Sequence, residues 1–225
     1  MAIHSQPSTM LKESLKESLE AAKYCSQYQK KDSKWGDYNT GGCLGYPAAI
    51  LLFSIIDSIG SYFRKNQDFK ILIDSKMTTI DSEGWQHFKI LNSKYFNQNL
   101  SEKSIKTIYS KSRSNLIHNL VLGKNQFLTM NNESWNNGLL ITGTTVDNGL
   151  TQTSSNINNI GDKTGTTAPS STIISGQAFA IENDTETNMI VSIEELCKLC
   201  ETAINEFFKD IDNVVPNSKQ GKYFN

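Results

Sequence analysis

The segment that most limits the possible folds is residues 47–63, Pro-Ala-Ala-Ile-Leu-Leu-Phe-Ser-Ile-Ile-Asp-Ser-Ile-Gly-Ser-Tyr-Phe. Proline suits a first helical turn, and the residues that follow are apolar on most faces. A helix of that kind has to be covered all round, so this segment is predicted to be the central helix of a bundle. Its most apolar run, residues 48–56, is less than half of the roughly 20 residues a membrane span needs, and Asp57 ends it. No membrane span is expected. Asp57 is a carboxylate in a nearly all-apolar helix, which leaves two readings open. Either it is paired, with Arg113 as the natural partner, or it sits at the exposed edge of its helix.

Helical periodicity recurs in four more places. In residues 9–31 the apolar positions Met10, Leu11, Leu15, Leu19, Ala22 and Cys25 alternate with Lys and Glu, with Ser8 or Thr9 as the expected cap. Residues 31–45 are rich in turn formers and are expected to be a loop. Residues 84–96, with Trp85, Phe88, Ile90, Leu91, Tyr95 and Phe96, are predicted as a third helix, and residues 101–122, with Ile105, Ile108, Tyr109, Leu116 and Leu120, as a fourth. In the last helix Ser192 followed by Glu195 forms a capping box ahead of Leu196, Leu199, Ala203, Ile204, Phe207 and Phe208. It is expected to end near Asp212, with a loose polar tail beyond Pro216.

Between the fourth helix and the last one the pattern changes. Gln-Phe-Leu-Thr-Met and Gly-Leu-Leu-Ile-Thr, within residues 125–141, read as strands, as do residues 177–181 and 188–191, and together they suggest a small hairpin beside the helices. Residues 142–176 are mostly Thr, Ser, Asn and Gly, too poor in apolar surface to offset ordering, and are expected to be a flexible insertion. The predicted fold class is therefore mainly α: a four- to five-helix bundle with a small β-hairpin before the last helix. At 225 residues the whole chain suits a single domain, since domains hold about 100 to 200 residues each.

Composition narrows the function classes. Lys and Arg number 22 against 23 for Asp and Glu, so no long-range field draws in nucleic acid or an anionic membrane, and an RNA partner would need a local basic site. The start Met-Ala-Ile-His-Ser lacks the basic opening and apolar run of a secretory signal, which points to a cytoplasmic location. Cys25, Cys43, Cys197 and Cys200 are expected to be reduced, with the C-x-x-C at Cys197 and Cys200 packed in the core of its helix. Neither a phosphate-binding loop nor a dinucleotide fingerprint is present, and His4 and His87 lack ligand partners at metal spacing, so no cofactor or metal is expected. Asp162-Lys163-Thr164-Gly165-Thr166 matches the phosphorylation sequence of P-type cation pumps, but the rest of such a pump is missing and the tract is one where such strings arise by chance.

The fourth helical segment ends in Lys-Ser-Arg-Ser-Asn-Leu-Ile-His-Asn-Leu. Arg113 and His118 point about 140° apart on an ideal helix, so they share a site only if the Arg side chain reaches round or the helix end is distorted. Ser114 lies on the face of His118, and Asn115 and Asn119 add hydrogen-bonding groups. His exchanges a proton near neutral pH and a guanidinium holds phosphate through two parallel hydrogen bonds, a pair suited to cleaving a phosphodiester without metal. The competing reading has Arg113 on a surface carboxylate and His118 capping or packing against a neighbouring helix.

The order of these pieces resembles the HEPN superfamily of small helical bundles. A buried second helix is followed by a third containing Trp-Gln-His-Phe and Lys-Tyr-Phe. The run Ser-Arg-Ser-Asn-Leu-Ile-His-Asn then leads into a hairpin and a capped last helix. Members of that family carry an Arg and a His four to six residues apart, and Arg113 and His118 fit the shortest spacing; Ser114 stands where active members often have Asn, Asp or His. The resemblance implies a homodimer with two copies of the motif facing each other, with RNA as substrate and His118 and Arg113 as catalytic residues. Ser114, Asn115, Asn119 and Asp57 would support them. It further implies a place in a toxin–antitoxin or anti-phage system with a cognate protein partner. The alternative within the family is a catalytically silent module that binds RNA or protein.

Overall fold

In the computed structural model, which describes residues 6–31, 34–35, 42–124, 126–130, 178–181 and 189–223, the first element is helix α1 (Pro7–Gln27). Its buried stripe is Leu11, Leu15, Leu19 and Ala22, as the periodicity requires. The cap differs from expectation: Pro7 starts the helix with its preset φ, Gln6 occupies the cap position without a side-chain bond, and Ser8 is buried inside the first turn. Helix α2 (Gly45–Ser61) buries Ala48, Ala49, Leu52, Phe53, Ile55, Ile56, Ile59 and Gly60. It packs on α1, on the last helix and on the segment that carries Phe88, which is the central position its sequence demands.

Strands β1 (Ile71–Ile73) and β2 (Lys76–Thr78) form an antiparallel hairpin. Periodicity gives no hint of it, because each strand has three residues and the turn is Asp74-Ser75, both at positive φ (48° and 62°). That is the mirror-image turn usually written Asn-Gly. Residues 84–96, expected as an α-helix, wind instead as a 3-10 helix (Gly84–Asn92) followed by a turn. The tighter winding stacks residues three apart, setting Phe88 and Leu91 in one buried row with Ile90 beside them.

The fourth expected helix is a rod of three pitches: α3 (Glu102–Thr107), a π-helical stretch (Ile108–Ser114) and α4 (Asn115–Asn119), stopped by Leu120 in the left-handed region at φ 56°. Its start is the predicted one, with Ser101 Oγ accepting from the Ser104 amide at 3.1 Å. The π stretch has an identifiable cause. The Lys111 carbonyl is taken up from outside the helical ladder by the Gly123 amide (2.9 Å) and the Asn115 side-chain amide (3.1 Å), and an inserted donor forces the wider turn. Gly123 eases this approach, since a Cβ there would stand 2.8 Å from Asn115 Nδ2 and 3.1 Å from the Lys111 carbonyl oxygen.

Strands β3 (Gln126–Thr129), β4 (Phe179–Ile181) and β5 (Met189–Ser192) make a sheet in the order β3-β5-β4. The antiparallel β4–β5 pair is the hairpin expected before the last helix, and β3 joins β5 in parallel, Phe127 opposite Ile190. The run at 138–142, the expected insertion at 142–176 and the Asp162 string lie outside the described residues. Helix α5 (Ile193–Asn217) begins on Ser192, whose Oγ accepts from the Glu195 amide at 3.4 Å. It passes Asp212 and ends only after Pro216. The tail is not loose where described: Ser218 Oγ donates to the Val215 carbonyl (2.7 Å) and accepts from the Gly221 amide (2.8 Å), folding the chain back into a short 3-10 turn (Gly221–Tyr223).

Phe63, Phe69, Tyr95 and Phe207 close one end of the core with ring centroids 3.9 to 6.2 Å apart. Cys197 and Cys200 are core residues; burial pushes the Cys197 thiol up to about 11 and the Cys200 thiol well above its ordinary value, and Cys200 Sγ donates to the Leu52 carbonyl at 3.7 Å. All four cysteines are free. Among the described residues no helix is long and apolar enough to cross a membrane.

Candidate functional site

Asp57 is the hub of the polar cluster in this bundle. It projects from α2 toward two elements at once, and Arg113 Nη2 donates to its Oδ2 at 2.5 Å while His87 Nδ1 lies 2.8 Å from its Oδ1. All three side chains are largely withdrawn from water, with 20% of Arg113, 19% of Asp57 and 13% of His87 exposed. Of the two readings open for Asp57, pairing with Arg113 is the one the fold adopts. The sequence has no signal for the second partner: His87, incidental by sequence, arrives because the 3-10 helix runs against α2. Gly60 permits that approach, since a Cβ there would sit 2.1 Å from the His87 carbonyl oxygen.

The chemistry of the cluster follows from donors and acceptors. A carboxylate engaged by a guanidinium is an acceptor only, so the hydrogen in the His87 contact belongs to Nδ1, and the other ring nitrogen is Nε2. That Nε2 is buried with no partner among the described residues, as is Arg113 Nε. The Arg113 guanidinium also lies 5.3 Å from the centre of the Tyr109 ring, which meets Phe88 edge-on at 5.4 Å. Gly84 gives Tyr109 room, because a Cβ would stand 2.6 Å from its hydroxyl. The guanidinium is thus held by an ion pair and an aromatic face.

His118 is placed differently. It lies in the last turn of α4, exposed, with no hydrogen bond or ion pair to any described residue, and no hydrogen bond joins it to Arg113. The two residues after Asn119 are exposed apolar side chains, Leu120 at 67% and Val121 at 44%. Ser114 is half-buried, Asn119 is exposed, and Asn115 serves the backbone through the Lys111 carbonyl. The π stretch supplies the helix distortion that a shared Arg113–His118 site needs. Within one chain, however, it turns Arg113 inward to Asp57 and leaves His118 outward. No group of three or more His, Cys, Asp or Glu that could hold a metal ion occurs among the described residues.

A comparison of the chain with protein-family models, with curated proteins and with solved structures finds no match in any of the three.

Proposed function

We propose that the chain is a metal-independent endoribonuclease of HEPN type that works as a two-fold homodimer. The observation that carries this reading is the contrast along one rod. Arg113 is locked in orientation by Asp57, with most of its five N–H donors unspent, while His118 stands solvent-facing and unpartnered five residues on. A guanidinium whose direction is set in advance costs little to engage a phosphate, and an exposed imidazole is free to exchange a proton. The exposed pair Leu120 and Val121 supports a second copy packing at this edge, which would face two imidazoles and two guanidinia across the axis.

In that assembly the ribose 2′-oxygen attacks the adjacent phosphorus as His118 takes its proton. The 5′-oxygen leaves with a proton from solvent or from the second imidazole, and a 2′,3′-cyclic phosphate remains. Arg113 holds the phosphoryl oxygens and stabilises the charge that develops on them. Asp57, braced by His87, is a positioning residue that sets the angle of the guanidinium. A second reading has its own observation: a guanidinium one-fifth exposed and already ion-paired also suits a silent module that binds RNA or a protein partner.

Incubating the wild type with RNA in the presence of a chelator separates the two. Cleavage is expected to persist with chelator, to stop when the 2′-hydroxyl at the cut site is replaced by hydrogen, and to fall about 100- to 10,000-fold in His118→Ala. Cleavage that survives in His118→Ala, or that proceeds equally on DNA, removes the catalytic assignment.

A further inference from the structure

On another part of the surface, where the C-terminal end of α2 meets the C-terminal end of α5, a pocket of about 610 Å³ is lined by Arg64, Lys65, Lys219 and Lys222 against a single acid, Asp68. The volume lies within the range of about 300 to 1,000 Å³ usual for small-molecule sites. None of the four cations has a carboxylate within ion-pair distance among the described residues, whereas Lys12, Lys23, Lys94, Lys106, Lys198 and Lys209 are each paired with an acid. Like charges gathered round a concavity repel one another, and the field between low-dielectric walls concentrates counter-ions.

Two further features are built into this pocket. Lys65 stands at φ 61°, in the left-handed region that non-glycine residues rarely occupy, and is fixed there by its amide donating to the Ile80 carbonyl at 2.8 Å. The backbone therefore sustains strain at the residue that delivers one of the cations. Arg64 keeps its Nε–H buried with no acceptor among the described residues, a donor that a small rotation of the guanidinium would satisfy against an anion in the pocket. Cations near helix C-termini are often explained by the helix dipole alone. Here, though, the last carbonyls of α5 are served by uncharged groups, Ser218 Oγ on Val215 and Asn217 Nδ2 on Asn213. The dipole also asks for neither a left-handed lysine nor a concave wall.

We infer that this pocket binds a phosphate-bearing anion of the charge of a di- or triphosphate. Four cations against one acid leave a surplus of three positive charges, which a single phosphate does not neutralise. With Tyr62 and Val214 as its main apolar residues, the lining suits a polar, highly charged ligand better than a greasy one. The same chemistry has two sources, a free nucleotide or the phosphates of an RNA strand. The site shares no residue with the Asp57 cluster and stands whether or not the chain cleaves RNA.

The test is calorimetric titration of the full chain with inorganic triphosphate, with orthophosphate in parallel. Triphosphate is expected to bind the more tightly, and Lys219→Ala and Lys222→Ala, both at exposed positions, to weaken it by about tenfold each without lowering Tm. Lys65→Gly is the sharpest variant, because it removes a cation and relieves the left-handed backbone together: Tm is expected to hold or rise while affinity falls. Lys103→Ala, at an exposed position outside the pocket, is expected to leave triphosphate binding unchanged. Oligoribonucleotides with a 5′-triphosphate or a 5′-hydroxyl then distinguish the sources. A preference for the 5′-triphosphate that is lost in the pocket variants assigns a nucleotide-like terminus, and equal weakening of both assigns strand phosphates. Absence of triphosphate binding, or binding that the pocket variants leave intact, overturns the inference.

Discussion

Helix α5 and the rod from Glu102 to Asn119 are both amphipathic helical segments, yet one is regular for 25 residues and the other changes pitch twice within 18. Through most of α5, up to its last turn with Pro216, the local signals agree: a side-chain cap at Ser192, acids Glu194 and Glu195 in the first turn, and a buried stripe of Leu196, Cys200, Ala203, Ile204, Phe207 and Ile211. In the rod the buried stripe is thin, Ile105, Ile108, Ser112 and Leu116, and partners from elsewhere compete for the backbone at Lys111. Consistent local signals yield a regular element. Conflicting ones yield a distorted element, and distortions of this type concentrate where side chains are aimed for a purpose. The rod carries Arg113 and His118.

The comparison breaks most readily at the regular helix. Phe207 is fully buried and touches Tyr62, Phe63 and Tyr95, so Phe207→Ala should cost about 3 to 5 kcal/mol in chemical denaturation. A loss under about 1 kcal/mol would show that α5 does not anchor the core. At the rod, Asp57→Ala strands the Arg113 guanidinium and the His87 Nδ1–H together. Breaking a fully buried pair costs about 3 to 5 kcal/mol, and with roughly a fifth of each partner exposed we expect about 2 to 3. The double variant Asp57→Ala with Arg113→Met should recover part of that loss, because it removes the uncompensated charge as well; additive losses would mean the pair contributes nothing as a pair.

Smaller effects sharpen the contrast. Ser192→Ala removes the α5 cap and should cost about 1 kcal/mol, visible as a lower urea midpoint with an unchanged slope. His118→Ala should leave stability within about 0.5 kcal/mol of wild type, as for an exposed side chain without partners. Any larger change would mean that His118 packs against something in the folded chain. These two variants set the helix whose capped start matters for folding beside the one whose end is exposed and unpartnered.

Much of the bundle was legible in the sequence. The apolar character of α2, the stripe of α1, the Ser192 cap and the strands of the small sheet each follow from residues within a few positions of one another. The β1–β2 hairpin was not legible, because its strands are too short to show alternation and Asp74-Ser75 is an uncommon choice for its turn. Neither was the 3-10 winding of Gly84–Asn92 or the extension of α5 past Pro216, where the deciding contacts are His87 against Gly60 and Ser218 against Val215.

The site divides in the same way. Sequence alone left Asp57 two readings, an ion pair with Arg113 as the natural partner of a costly isolated charge or a place at the exposed edge of its helix, and only the fold decides for the pair. Sequence alone could not find His87, since Asp57 and His87 are 30 positions apart with no periodic link and only the close passage of two backbones at Gly60 brings them together. It could not assign the direction of Arg113 either. On a regular helix that direction is fixed by residue number, but here it depends on Gly123 reaching back to the Lys111 carbonyl. Patterns repeating every few residues are written into local sequence, whereas a bond between segments distant in the chain exists only once packing has placed both of its ends.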